Sequence, residues 1–166
     1  MTAEDRELSF GLWYDFRFPP AEGRSPEDGY REIVDQIVWA ESLGYGSVWL
    51  SEHHFVEDGY TPSPLVLAAA VAVRTDRVRI GTSLVVLPLH DPVRVAEDAA
   101  TVSILSGGRF ELGVAQGYRL EEFEAFGRRP NHRPSLLEEG IEILRRSWSG
   151  DPLRFEAGAS RIRQCA

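Results

Sequence analysis

A chain of 166 residues is expected to form one domain. Hydrophobic residues make up 43% of the chain and charged residues 27%, which predicts a folded core and excludes an intrinsically disordered protein. The net charge of −8 argues against a surface that binds nucleic acid or an anionic membrane.

The only cysteine, Cys165, excludes an intrachain disulfide and a cysteine-based zinc site. The acidic and polar start of the sequence does not have the pattern of a signal peptide. The longest apolar run, residues 65–73, is far shorter than the ~20 residues that a membrane span needs. We therefore predict a cytoplasmic protein with no nucleic-acid or membrane partner.

The first strand is predicted at residues 8–13, and a helix follows that begins at Ser25 and ends at Gly44. Ser25 suits the N-cap of this helix, Pro26 its first turn and Asp28 the capping-box position. Apolar residues at helical spacing predict one buried face; they are Tyr30, Ile33, Val34, Ile37 and Val38.

Three further strand–helix units follow in the same order. The strands are predicted at residues 47–51, 78–86 and 109–115, and the helices at residues 65–73, 91–105 and 134–148. Ser63-Pro64 and Asp91-Pro92 give the start signals of two of these helices.

Alternating strands and helices predict parallel βαβ crossovers, and no Gly-x-Gly-x-x-Gly sequence follows any strand. We therefore predict an α/β protein of the (β/α)8 barrel type that contains the first four βα units. A complete barrel needs ~250 residues. Residues 1–166 are accordingly expected to be the N-terminal half-barrel of a domain truncated at its C-terminal side.

Polar residues follow the strands at the ends where ligands gather in parallel α/β folds. Tyr14 and Asp15 follow the first strand and are expected only to cap it. Glu52, His53 and His54 follow the second strand, and further polar residues accompany the third and fourth strands: Ser83, His90, Asp91, Gln116 and Tyr118. These loops are expected to converge on one ligand.

Six segments, taken in register, resemble the N-terminal half of the bacterial-luciferase-like flavin-dependent monooxygenases. The resemblance covers residues 8–155. The segments are residues 10–11 (FG), 40–45 (AESLGY), 48–55 (VWLSEHHF), 78–88 (VRIGTSLVVLP), 91–98 (DPVRVAED) and 106–115 (SGGRFELGVA).

The resemblance implies a barrel that binds reduced FMN at its C-terminal face and inserts one oxygen atom of O2 into a small organic substrate. It identifies His53 as the catalytic acid or base, with His54 in a supporting role. It implies that Glu52 lies beside the flavin, that Ser83 and Leu84 are joined by a cis peptide against the ring, and that Gln116 and Tyr118 lie near the cofactor. Luciferase has a phosphate-binding arginine where this chain has Gln116, which supplies no charge.

The resemblance also implies a homodimer or heterodimer through the second and third helices, and a separate flavin reductase as a partner. Three alternatives remain open: hydride transfer with a deazaflavin coenzyme, an inactive flavin-binding fragment, and a metal hydrolase. The metal alternative is disfavoured because His53 and His54 would project to opposite sides of an extended chain, and no site with metal ligands is predicted.

Overall fold

The computed structural model describes residues 8–19, 23 and 25–150. Its strands are Gly11–Tyr14 (β1), Ser47–Leu50 (β2), Arg79–Thr82 (β3), Val85–Val86 (β4), Phe110–Glu111 (β5) and Val114–Ala115 (β6). Its helices are Pro26–Ser42 (α1), Pro64–Ala72 (α2), Pro92–Leu105 (α3), Leu120–Ala125 (α4) and Arg133–Ser147 (α5). Short 3-10 turns lie at Leu87–Leu89 and Pro130–His132. Cys165 and the predicted end of the resemblance at Phe155 lie outside the described residues.

All strand pairs described in the structure are parallel. The first sheet has the order β1-β2-β3-β5, and β4 pairs with β6 in the second. Helices return the chain between neighbouring strands, so the carboxyl ends of the strands lie at one edge. The α/β class and the partial set of βα units of a barrel are confirmed.

The third and fourth strands were each predicted as continuous, which is wrong. The third is divided into β3 and β4, and the fourth into β5 and β6. At the end of β3 the Thr82 hydroxyl donates to the Gly113 carbonyl at 2.8 Å and accepts from the Gly113 N–H at 2.9 Å. A side chain thus replaces the backbone ladder between β3–β5 and β4–β6. A Cβ at Gly113 would lie 2.2 Å from the Thr82 carbonyl oxygen, so this close approach requires glycine.

The helix starts follow local capping chemistry. The Ser25 hydroxyl accepts from the backbone N–H of Asp28 at 3.1 Å, as predicted for the start of α1. Asp91 caps α3 by accepting from the N–H groups of Val93 and Arg94. Helix α2 begins at Pro64, where the Ser63-Pro64 signal predicted a start, although the Ser63 side chain makes no cap bond.

Helix α4 was not predicted from the sequence. It has six residues, and the residue at its N-cap position, Arg119, makes no side-chain cap bond. A helix this short shows too few turns for apolar periodicity to identify it.

The main core lies between the sheet and α1, α2 and α3. Its buried members include the following residues: Phe16, Ile37, Val48, Leu50, Val71, Ile80 and Val102. A second cluster joins α3 to α5 through Leu87, Val95, Ala96 and Leu144. Burying these apolar surfaces is the main source of folding free energy, and it holds the strand ends in a fixed relation.

The loop before β3, residues 75–77, is held in place by two charged side chains. The buried Glu41 carboxylate accepts the N–H groups of Asp76, Arg77 and Val78. The Arg109 guanidinium donates to carbonyl groups of the same loop and its neighbours. Two charged side chains thus anchor the amino end of β3.

No helix within the described part of the chain is long and apolar enough to cross a membrane.

Candidate active site

Glu52 lies at the carboxyl end of β2 with its side chain 1% exposed. Its Oε1 accepts from Nε2 of His54 at 2.8 Å and from Nε2 of His90 at 2.5 Å, and its Oε2 accepts the Val86 N–H. Burial raises the pKa of Glu52, but the hydrogen bonds from His54 and His90 outweigh this and lower the pKa to about 2. Glu52 is therefore a buried carboxylate whose two oxygens are both satisfied.

Phe126 packs against both histidine rings of this group. The His54 ring lies 4.8 Å from the Phe126 ring and the His90 ring lies 5.9 Å from it, both edge to face. His54 is only 8% exposed. Its contacts suit the supporting role expected of it.

Glu52, His54 and His90 are also the only group of three potential metal ligands found among the described residues, with ligand atoms within 4.8 Å of one another. The separations of 2.8 and 2.5 Å from Oε1 to the two Nε2 atoms are hydrogen-bond lengths. Ligands of one tetrahedral zinc ion would lie ~3.3 Å apart. In this structure the three side chains are joined by hydrogen bonds through Oε1 of Glu52.

The His53 ring contacts a different carboxylate from the His54 ring. Its Nδ1 lies 2.9 Å from Oε1 of Glu122 in α4. The same oxygen accepts the backbone N–H of His54 at 3.0 Å. The ring is flanked edge-on by Tyr60, with centroids 4.7 Å apart, and by Tyr118 at 5.7 Å.

A cavity of about 380 Å³ opens at the carboxyl ends of the strands. All six site residues expected from the sequence line it; they are Glu52, His53, Ser83, Leu84, Gln116 and Tyr118. The Ser83–Leu84 peptide bond is cis, as the resemblance implied. The topology thus brings together residues from three separate strand ends. Tyr14 and Asp15 do not line this cavity.

Several wall residues were not identified from the sequence, above all Tyr60 and Glu122. Burial raises the pKa of the Tyr60 hydroxyl, with opposing contributions from a Ser51 hydrogen bond and from Arg17. Glu122 is 1% exposed, whereas its neighbours Glu121 and Glu124 are exposed. Nothing in the sequence distinguishes these three glutamates, because only the packing of α4 decides which one faces inward.

The cavity fits a flat ring better than a phosphate. Its volume lies within the ~300–1,000 Å³ of small-molecule sites. Trp13, Leu84 and Val86 supply apolar wall, and a Cβ at Gly117 would lie 2.5 Å from Val86 Cγ1. No lysine or arginine is among the described residues that line the cavity. Charge for a phosphate group is therefore not supplied by this wall.

A sequence model described as luciferase-like monooxygenase matches residues 8–164. A relative from Amycolatopsis mediterranei, F420-dependent glucose-6-phosphate dehydrogenase, is 39% identical over 135 residues, which are 77% of this chain and 40% of the relative.

Two solved structures are also similar. Monooxygenase RslO1 from Streptomyces bottropensis superposes with a TM-score of 0.86 at 30% identity, over 93% of this chain and 47% of that chain. The oxygenating constituent of 3,6-diketocamphane monooxygenase from Pseudomonas putida, solved with FMN, gives a TM-score of 0.83 at 25% identity, over 90% and 41%.

The chain thus spans less than half the length of each of these three proteins. The match to the family model covers nearly the whole chain, and the fold agrees with that of the solved monooxygenases. The chain belongs to the luciferase-like monooxygenase family.

Proposed function

We propose that this chain binds reduced FMN at the carboxyl ends of its strands and takes part in the monooxygenation of a small organic substrate by O2. The observation that carries the proposal is the convergence of all six expected site residues on one cavity. We further propose that residues 1–166 belong to the N-terminal half of a barrel domain. The family match and the FMN-bound relative of similar fold support both statements.

The chain's residues would hold the flavin ring and keep water from it. Leu84, Val86 and Gly117 form an apolar slot, and the amide of Gln116 can form hydrogen bonds. Bound reduced flavin would supply the electrons that activate O2. Glu52 would support the slot from behind through its bond to the backbone of Val86.

His53 would contact the reacting atoms. It lines the cavity, and Nδ1 is engaged by Glu122, so Nε2 is the ring nitrogen left to accept or donate a proton. In an assay of flavin-dependent turnover, His53→Ala should lower the rate by about 10²-fold and change FMN affinity by less than about threefold. Unchanged turnover in the variant would remove His53 from the reaction.

Coenzyme F420 is the second candidate cofactor, since the relative from Amycolatopsis is named as F420-dependent. With that coenzyme the reaction would be hydride transfer and not oxygenation. Gln116 in the cavity wall is neutral and offers no charge to the phosphate of FMN, which weakens the argument for FMN as the cofactor.

The test is a fluorescence titration of the chain with FMN, with F420 and Zn²⁺ as parallel ligands. Saturable quenching of FMN in the micromolar range is expected. Leu84→Ala should weaken it, while Leu120→Ala, a change at an exposed leucine outside the cavity wall, should not. Tighter binding of F420 would favour hydride transfer. Absence of flavin binding, or binding of Zn²⁺ alone, would contradict the proposal.

We also propose a homodimer or heterodimer through α2 and α3, with reduced flavin supplied by a separate reductase. Exposed apolar side chains on or beside these helices support an interface; they are Val66, Val73, Val93, Ile104 and Leu105. Light scattering should give twice the chain mass. A monomer at micromolar concentration would contradict the homodimer.

A further inference from the structure

Glu122 and His53 form a carboxylate–imidazole pair that no part of the sequence pattern indicated. Nδ1 of His53 and Oε1 of Glu122 are 2.9 Å apart, although the residues are 69 positions apart in the chain. The Glu122 side chain is 1% exposed and that of His53 is 21% exposed. The pair therefore has one end in the core and the other at the cavity.

We propose that Glu122 is a positioning residue that holds His53 in the tautomer with its hydrogen on Nδ1 and its lone pair on Nε2. Oε1 of Glu122 already accepts the backbone N–H of His54 at 3.0 Å. An oxygen that accepts one N–H in this geometry is an acceptor for the imidazole as well, so Nδ1 is the donor. One oxygen thus sets both the position of the loop backbone and the tautomer of the ring.

No other group facing His53 competes for this role. The rings of Tyr60 and Tyr118 stand nearly perpendicular to the His53 ring, at interplanar angles of 80°. The Arg119 guanidinium lies 3.7 Å from Oε1 of Glu122 and donates to the carbonyl oxygen of His54, and no hydrogen bond joins it to the His53 ring. Among the described residues, Glu122 supplies the only hydrogen-bond partner shown for the His53 ring, while the His53 backbone N–H donates to the Thr61 carbonyl.

A second observation points the same way. Oε2 of Glu122 is buried and has no hydrogen-bond partner among the described residues. A buried carboxylate oxygen without a partner is destabilising, so stability alone does not account for a glutamate here. The Glu52 carboxylate nearby has partners on both oxygens. This difference agrees with a role for the Glu122 carboxylate in orienting the His53 ring.

The consequence for chemistry rests on the proposed function. With Nδ1–H donated to Glu122, Nε2 is the atom that accepts a proton from a ligand in the cavity or returns it. A free imidazole prefers the opposite tautomer, with its hydrogen on Nε2, which would turn a donor toward the ligand. Glu122 therefore decides whether Nε2 of His53 is first a proton acceptor or a proton donor toward the ligand.

The experiment is a long-range ¹H–¹⁵N spectrum of the whole chain labelled at histidine. The chain has four histidines, and the His53→Gln variant identifies the pattern of His53 by its loss. In the wild-type chain the His53 ring should carry its hydrogen on Nδ1. A hydrogen found on Nε2 would overturn the inference, and this readout needs no variant of Glu122.

Glu122→Gln should convert the Nε2–H tautomer of His53 from the minor to the major species, because an amide no longer holds Nδ1–H as a charged acceptor does. Glu121→Gln is the matched control, since it removes the same charge from an exposed position on the same helix and should leave the pattern unchanged. A folded Glu122→Gln chain with the wild-type pattern would contradict the positioning role. The tautomer is measured without flavin. A result against the positioning role of Glu122 can therefore be told apart from a failure of the chain to bind FMN.

Discussion

Two carboxylate–histidine groups lie side by side at the carboxyl end of β2 and differ in how completely they are satisfied. Glu52 has partners on both oxygens and lies behind His54, which is 8% exposed. Glu122 has partners on one oxygen only and holds His53, which reaches the cavity. Adjacent histidines in the sequence thus belong to different environments.

The difference indicates that the Glu52 group stabilises the fold and that the Glu122 group takes part in the proposed reaction. A buried polar network stabilises a fold when every member is paired, as around Glu52. A group with an unpaired oxygen and an imidazole open to a cavity contributes less to stability and is better suited to react. Changes in the first group should therefore act on folding, and changes in the second on turnover.

The largest effect is expected for Glu52→Ala. The change leaves the donors of His54 and Val86 without their acceptor in the interior, so the free energy of unfolding should fall by about 3–5 kcal/mol. Urea denaturation followed by circular dichroism measures this. Glu57→Ala, at an exposed position, should change it by no more than about 0.5 kcal/mol. Equal effects of the two variants would erase the distinction drawn for Glu52.

The pH dependence of stability tests the same group. The pKa of Glu52 falls from an ordinary value of 4.5 to about 2 in the folded chain, so its contribution is present above pH 4.5 and is lost as the pH falls toward 2. A shift of this size corresponds to about 3 kcal/mol. Unfolding curves between pH 6 and 2 should show this loss. Glu52→Gln should show a shallower fall, and an identical slope would refute the assignment.

Gly117→Ala probes the cavity wall. Gly117 has φ +73, and an added Cβ would lie 2.5 Å from Val86 Cγ1. Gly127 is the matched control, with φ +64 and no atom within 4 Å of an added Cβ. Both variants should lose about 1–2 kcal/mol from the left-handed backbone. Gly117→Ala should lose about 2 kcal/mol more and bind FMN less tightly. Equal FMN affinity in both variants would place the flavin elsewhere.

The smallest stability effect separates the two histidines. His54→Gln disturbs the buried bond to Glu52 and should cost about 1 kcal/mol. His53→Gln should change stability by no more than about 0.5 kcal/mol and act on turnover instead. Thermal unfolding of the two variants gives the comparison. A larger loss of stability in His53→Gln would reverse the roles assigned to the two residues.

Local chemistry made much of the fold predictable. The cap residues Ser25 and Asp91 act within three residues of themselves, so their sequence context is sufficient to mark the starts of α1 and α3. The six expected cavity residues came from a register shared with a family. They meet because the carboxyl ends of parallel strands lie at one edge of a sheet.

Contacts between distant residues could not be predicted in this way. The breaks in the predicted strands depend on a hydroxyl of Thr82 that reaches Gly113, 31 positions away. The choice of Glu122 over Glu121 depends on how α4 packs against the loop after β2.

The sequence alone determined the α/β class, the order of the βα units and the identity of the residues at the strand ends, because periodicity and capping are local. Only the tertiary structure decided that Glu52 pairs with His90 across 38 positions and that His53 pairs with Glu122 across 69. Such pairs depend on which side chains become buried together, and burial is a property of the packed chain.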